Sequence, residues 1–283
     1  MKLRYVCEKE MLVKEYLEYV GISHHLRKKV RGLDNIYING EKAKNYYKLN
    51  IGDILELEFD EELNSEYSAN FDDLDKLEIK YEDEYLMVIS KDINISSLPS
   101  RRHEKDNVLS ILKAYFINNN IKSNIHLVNR LDYATSGLMV ISKSNICQHE
   151  LSKGKITKKY LAYVDGILDL KEGLIDKPIA REEAPSILRY VSQDGQSALT
   201  KYKVLKEVNG KSLVELELLT GRCHQIRVHM KSLGTPIIGD KLYNNKCSSD
   251  VLHLHSYYLS FVHPFTKENI EIIDYPNWED VNL

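Results

Sequence analysis

Three short segments of this chain carry polar side chains at a density that packing alone does not require. In Asn129-Arg130-Leu131-Asp132-Tyr133-Ala134-Thr135-Ser136-Gly137 one carboxylate precedes a Thr-Ser-Gly turn that leads into the apolar run Leu138-Met139-Val140. Small hydroxyls and a glycine hold such an acid at an exposed turn; the plain alternative is that Asp132 caps the turn or pairs with a surface arginine. In Thr157-Lys158-Lys159-Tyr160-Leu161-Ala162-Tyr163-Val164, alternation places Tyr160 on one face of a strand and Leu161 on the other. With nineteen tyrosines in the chain, packing is the ordinary reading of any one of them. The third segment, Thr220-Gly221-Arg222-Cys223-His224-Gln225-Ile226-Arg227-Val228-His229, is followed by Gly234 to Tyr243 and is more polar than an amphipathic face needs. A buried carboxylate resists ionising at neutral pH unless a nearby cation lowers its pKa, so an acid and arginines brought together from such segments could supply an ionised carboxylate.

A metal centre is the rival chemistry for the same residues. His253 and His255 alternate along a strand, and His224, His229 and His263 add further imidazoles. No H-E-x-x-H stands among them, and His224 and His229 lie five positions apart, so no metal is expected.

The elements that must position these segments are strands and short helices. Periodicity predicts helix over Val108 to Phe116 and Asn145 to Leu151, and strands over Leu77 to Lys91, Gly137 to Ser142, Lys159 to Val164, Ala198 to Val208 and Ser212 to Leu219. Asn209-Gly210 between the last two reads as a hairpin turn, which makes the sheet at least partly antiparallel. Neither a G-x-G-x-x-G nor a Walker lysine loop occurs, so nucleotide-cofactor folds lack support.

The chain of 283 residues, 43 % hydrophobic, is sized for one catalytic domain and a smaller one. Cys7, Cys147, Cys223 and Cys247 stand far apart, which indicates neither a disulfide framework nor a cysteine zinc knuckle. No apolar run approaches the roughly 18 residues of a membrane span, so a cytoplasmic protein that keeps clear of membranes is expected. The net charge of −3 conceals an uneven distribution. His24 to Lys48 holds seven basic residues against two acids, whereas Asp53 to Glu84 holds fourteen acids against Lys76 and Lys80. Basic islands recur over Lys143 to Tyr160 and Thr220 to Lys246, the pattern of faces that meet a polyanion.

Residues 11 to 30 show helical spacing interrupted at Gly21, followed by alternating segments at Asn35 to Gly40 and Gly52 to Phe59. This order of two helices and hairpin-like strands, with Arg27, Lys28, Lys29 and Arg31 gathered within about one and a half helical turns, resembles the small alpha-L RNA-binding domain shared with a ribosomal small-subunit protein (S-four-like). The resemblance implies that these four cations face an RNA backbone. Residues 61–76, acidic and without period, read as a linker between domain 1–60 and domain 77–283.

Five motifs in order, R-L-D-x-x-T-S-G-L from Arg130, K-K-Y-L-A ending at Ala162, T-G-R-x-H-Q-I-R-V-H from Thr220, G-x-P-I-x-G-D from Gly234 and L-H-S-Y-Y-L-S-F-V-H-P from Leu254, resemble the RluA family of RNA pseudouridine synthases. That family implies an α+β catalytic core with a mixed, largely antiparallel sheet. It also implies an isomerisation in which the uracil N1–C1′ bond is broken and the base is rejoined through C5, without cofactor. Asp132 matches the family's essential aspartate, acting at the ribose as nucleophile or as base. Tyr160 matches the tyrosine that stacks on the base and is proposed to take the C5 proton, and Arg227 matches the basic partner of the aspartate. Arg130 matches the arginine that fills the space of the flipped base, and Thr135, Arg222, His224 and Gln225 are assigned to substrate binding.

The expected partner is RNA, ribosomal large-subunit RNA before transfer RNA, and the expected state is a monomer. Two departures stand out: Asn129 replaces the family's usual histidine, and Lys91-Asp92-Ile93-Asn94 replaces its K-P-x-G loop. The competing reading is a non-catalytic RNA-binding protein of ribosome assembly, which would have no need of Asp132, Tyr160 and Arg227 together.

Overall fold

The computed structural model describes residues 2–22, 24, 27, 28, 30, 35–58, 63, 67–246 and 249–278. The N-terminal part runs β1 (Lys2–Val6), β2 (Met11–Leu12), α1 (Val13–Tyr19), β3 (Ile36–Ile38), β4 (Glu41–Lys42), β5 (Lys48–Leu49) and β6 (Ile54–Glu58). Gly21, at φ 83°, separates α1 from a second helical stretch containing His24, Arg27, Lys28 and Val30. Asn39 and Gly40 at φ 53° and 86° form the tight turn between β3 and β4 that their dipeptide predicts. Sequence reading missed β1, which pairs antiparallel with β6 and completes the order β1-β6-β3-β4. Leu3, Leu17, Ile36, Leu55 and Leu57 form the core beneath that sheet.

The catalytic-sized part contains β7 (Glu78–Glu82), β8 (Leu86–Lys91), α2 (Val108–Asn118), β9 (His126–Leu127), β10 (Ser136–Ser142), α3 (Asn145–Lys153), β11 (Thr157–Asp165), β12 (Glu172–Asp176), β13 (Ile179–Arg181), β14 (Arg189–Val191), β15 (Leu199–Val208), β16 (Lys211–Leu218), α4 (Gln225–Ser232), β17 (Leu254–Val262) and β18 (Asn269–Ile273). A ten-stranded sheet has the order β12-β15-β16-β11-β17-β10-β8-β7, with β18 on β17 and β9 on β10. Only the β10–β17 pairing in it is parallel, so the sheet is mixed and largely antiparallel within an α+β fold. Helix caps are local: the Asn107 side chain accepts from Ser110 N–H at the start of α2, and Ser144 accepts from Cys147 N–H at the start of α3.

β10 explains why the centre is so apolar. Met139 and Ile141 join the cluster that includes α2, while Leu138 and Val140 join the cluster that includes α3, so both faces of the strand are covered. Gly137 at its start is required by close approach, because a Cβ there would stand 2.4 Å from the Ser256 carbonyl oxygen on the parallel neighbour β17.

The expected acidic linker is only partly free of the core. From residue 67 onward it lies against the catalytic part: Asn70 N–H donates to the Ser110 carbonyl at 2.8 Å, Lys113 Nζ donates to the Tyr67 carbonyl at 2.6 Å, and Leu63, Tyr67 and Leu74 pack on the central cluster. Three apolar side chains among the acids suffice to anchor it. The two parts also touch directly, since Ile146 of α3 is buried within the N-terminal core and Tyr85 and Phe265 pack against it. No helix among the described residues is long and apolar enough to cross a membrane.

Candidate active site

Asp132 lies on a loop whose backbone is held on both sides. The Ser97 hydroxyl donates to the Leu131 carbonyl at 2.7 Å and accepts the Leu131 N–H at 3.1 Å, while Lys91 Nζ donates to the Tyr133 carbonyl at 3.3 Å. Thr135 N–H closes the turn onto the Asp132 carbonyl at 3.1 Å. Ordering these neighbours in advance leaves little freedom to be lost when a substrate arrives. Lys91 also donates to the Asp92 and Ile95 carbonyls, at 2.7 and 3.0 Å, and burial lowers its pKa to about 7 against the opposing charges of Asp92 and Asp132.

The two departures from the family pattern are absorbed structurally. Asn94 adopts φ 59°, the left-handed backbone that glycine would take in the K-P-x-G loop and that asparagine tolerates better than most residues. Asn129 reads the edge of β10, accepting the Val140 N–H at 2.7 Å and donating to the Leu138 carbonyl at 3.5 Å. Its amide does both at once without needing a proton to be gained or lost.

The third motif meets this loop across the cleft. Arg227 on α4 places Nη1 3.5 Å from the Asp132 carboxylate, and His224 Nε2 stands 3.9 Å from it. Arg227, expected as the basic partner of Asp132, is also held by a second carboxylate. Its short contacts go to Asp240, Nε to Oδ2 at 2.8 Å and Nη2 to Oδ1 at 2.7 Å, and its guanidinium lies 5.0 Å from the centroid of the Tyr243 ring. Burial opposes the Arg227 charge, but hydrogen bonds and charge from Asp240 more than offset it. Asp240 is fully buried and also accepts the Leu242 and Tyr243 N–H groups. The Asp132 side chain keeps 29 % of its surface in solvent, as expected of an acid held at a turn. Sequence reading quoted Asp240 in its motif without giving it a role, and the G-D pair after Pro236 was the available signal.

The other candidates separate by geometry. His224, in left-handed conformation at φ 56°, hydrogen-bonds through Nδ1 to the Tyr243 hydroxyl at 2.8 Å, and burial lowers its pKa so that the ring is neutral at pH 7. Gln225 has no hydrogen bond left for a substrate: its oxygen accepts from the Thr220 hydroxyl and Arg222 N–H, and its nitrogen donates to the Leu199 carbonyl and Thr200 Oγ1. It organises the turn into α4, which corrects its assignment to substrate binding. Thr135 is buried at the cleft wall, and its hydroxyl has no hydrogen-bond partner among the described residues. Arg222 is exposed and anchored through Nε to the Ser197 carbonyl at 2.9 Å. Arg130 is exposed at the cleft and makes no hydrogen bond or ion pair among the described residues. Tyr160 forms part of the buried wall, and burial pushes its phenol pKa well above the ordinary value.

These side chains line one cleft of about 540 Å³. Three ligand-type groups converge in it, Asp132, Cys223 and His224, with their candidate atoms within 4.8 Å of one another. Arg227 beside the shared carboxylate opposes a cation there. The histidines proposed for the rival metal centre are engaged elsewhere: His229 with Thr200 and the Lys177 carbonyl, His255 with Ser136 and the Asp274 carbonyl, and His263 with Asp83. In the N-terminal part, Arg27 pairs with Glu18 at 2.5 Å and Lys28 is exposed; Lys29 and Arg31 lie outside the described residues.

Residues 85–232 match the family model described as RNA pseudouridylate synthase. The uncharacterized RNA pseudouridine synthase YjbO of Bacillus subtilis (strain 168) is 39 % identical over 266 residues, covering 92 % of this chain and 93 % of its own length. The ribosomal large subunit pseudouridine synthase D of Buchnera aphidicola subsp. Schizaphis graminum is 29 % identical over 281 residues, covering 92 % of this chain and 87 % of its own. Among solved structures, human RNA pseudouridylate synthase domain containing 1 superposes with a TM-score of 0.60 at 22 % identity, covering 72 % of this chain and 84 % of its own, which is a likeness of fold.

Proposed function

The chain belongs to the RNA pseudouridylate synthase family, a family of isomerases, and from that premise we propose that it converts specific uridines of structured RNA to pseudouridine through Asp132, with large-subunit ribosomal RNA as its foremost substrate. The observation that carries this reading is the half-exposed Asp132 carboxylate, fixed by its pinned neighbours, 3.5 Å from Arg227 and in one cleft with Tyr160. The substrate choice draws support from the name of the Buchnera relative, with transfer RNA as the second candidate.

The reaction is balanced within the nucleotide. As nucleophile, Asp132 bonds to C1′ while N1 leaves as the uracil anion, and C5 then displaces the carboxylate from C1′; as base, Asp132 takes the 2′ proton as N1 leaves and returns it as C5 bonds to C1′; in either route the C5 proton departs and N1 takes one up. Arg227, itself held by Asp240, favours the ionised carboxylate by its charge. A uridine within folded RNA must be extruded at a cost of a few kcal/mol, and the free guanidinium of Arg130 is placed to stack in the space it leaves. Tyr160 offers a plane for the extruded base, worth about 1–3 kcal/mol. Its raised pKa makes it a neutral phenol at pH 7, so accepting the C5 proton is a step that burial disfavours. The exposed cations of the N-terminal part, Lys28 among them, supply sequence-independent attraction to the phosphate backbone.

The test is a pseudouridine map of ribosomal and transfer RNA from cells lacking the gene, complemented with wild type or Asp132→Asn. Particular sites should vanish and return only with wild type, and purified Asp132→Asn should lose at least about 10³-fold in turnover while RNA affinity changes by no more than a few-fold. Turnover retained by Asp132→Asn would overturn the mechanism.

A further inference from the structure

Among the described residues, the lysines withdrawn from solvent have, with one exception, an acceptor or, for Lys211, the face of the Tyr163 ring. Lys91 donates to three carbonyls, Lys143 to Glu82 and the Asp83 carbonyl, Lys159 to Glu215, and Lys177 to the carbonyl and hydroxyl of Ser232. Lys158 is the exception. It is half-buried, yet no hydrogen-bond acceptor, carboxylate or aromatic face engages its ammonium among the described residues. Burial lowers its pKa and no neighbouring charge counters that. A cation drawn partly out of water without a counter-charge costs free energy, and an anion supplied from outside the chain would relieve that cost.

The position of Lys158 indicates which anion. It precedes Tyr160 by two residues on β11, so both point to the face that lines the catalytic cleft, about 7 Å apart along the strand. Lys159, pointing the other way, pairs with Glu215. Lys158 and Val128 belong to two walls at once, that of the cleft and that of a second groove of about 580 Å³ whose far side is α3, with Gln148, His149 and Ser152. The end of α3, which flanks this groove, touches the N-terminal part, where Lys153 donates to the Gly21 carbonyl at 3.2 Å.

We infer that Lys158 is a phosphate-binding residue for the substrate RNA, holding a backbone phosphate next to the extruded uridine where the strand passes from the catalytic cleft into the α3 groove. This rests on the RNA-modifying reading above and adds to it a subsite and a direction for the strand. A phosphodiester adjoining the nucleotide in the cleft is the one this position suits, because Lys158 lies where the cleft and the α3 groove share a wall.

The experiment compares wild type, Lys158→Met and Lys158→Arg, using an unmodified in vitro transcript of large-subunit ribosomal RNA and measuring its dissociation constant across a salt series. Lys158→Met should make the slope of log K against log salt shallower by about 0.7–0.9, equivalent to about 5–10-fold weaker binding near 0.1 M salt, and Lys158→Arg should keep the wild-type slope. In steady state the loss should appear in KM more than in kcat. The thermal midpoint of free Lys158→Met should equal or exceed that of wild type, since an unpaired, partly desolvated charge has been removed. An unchanged salt slope in Lys158→Met, or a loss confined to kcat, would overturn the inference. Failure of the catalytic reading would show instead as turnover surviving Asp132→Asn, a result independent of this slope.

Discussion

The cleft around Asp132 and the N-terminal part both present arginines next to carboxylates, but the two settings differ. In the cleft, Arg227 is 6 % exposed and Asp240 fully buried, joined by two parallel hydrogen bonds and backed by the Tyr243 ring. In the N-terminal part, Arg27 pairs with a Glu18 that is 72 % exposed, and Lys2–Glu58 and Lys48–Glu10 are likewise open to solvent. A buried bidentate pair fixes direction and is screened little by salt, whereas exposed pairs contribute roughly 0–1 kcal/mol and exchange readily for phosphates. On the proposed function, the first arrangement suits aiming a charge at a single atom, and the second suits attracting a polyanion without choosing where it lands.

The sharpest way to break that contrast is at Asp240. Asp240→Asn leaves Arg227 buried without its compensating charge, which should destabilise the fold by about 3–5 kcal/mol. Freed from its fork, the guanidinium should swing relative to Asp132 and lower turnover by about 10²-fold even where the protein remains folded. Urea unfolding and single-turnover assays below the shifted midpoint measure the two effects separately, and a variant as stable as wild type would show that the pair is dispensable.

Asp83 tests the joint between the two regions. Burial raises its pKa, but His263, the Leu86 and Tyr85 N–H groups and the Tyr81 hydroxyl more than offset this, holding it at about 2 against an ordinary 3.8. A depressed carboxylate stabilises the fold above the unfolded pKa, and that stability disappears as pH falls from about 4 toward 2. Asp83→Asn should therefore cost about 2 kcal/mol at pH 7, with the gap to wild type narrowing at acid pH in denaturant titrations. A gap independent of pH would assign the loss to packing. The smallest effect is expected at Lys28, where substitution by alanine should weaken RNA binding a few-fold at about 50 mM salt and barely at about 200 mM, with kcat unchanged. A loss that persisted at high salt would mean that this surface recognises more than charge.

Local rules account for much of the molecule. The Asn39-Gly40 and Asn209-Gly210 turns, the starts of α2 and α3, and the strands around Tyr160 and Gly137 follow from periodicity, caps and positive-φ residues, which act over a few positions, whereas both helices run two residues past their expected ends. Strand β1 escaped because five residues at the chain start carry too little pattern, and the acidic stretch escaped because its three apolar anchors have meaning only against the surface they meet. The residue types of the site were also legible, since an acid, a tyrosine and an arginine in those contexts have few bland explanations together. What each touches was not. Whether Arg227 spends its hydrogen bonds on Asp132 or Asp240, whether Gln225 has any left for a ligand, and whether Lys158 is paired or alone depend on distances between segments far apart in the chain. The five motifs, through the family they resemble, indicated which chemistry to look for in this protein; only the tertiary fold decided which charges are satisfied within it and which are not, because electrostatic pairing is settled by a few ångströms that no one-dimensional pattern encodes.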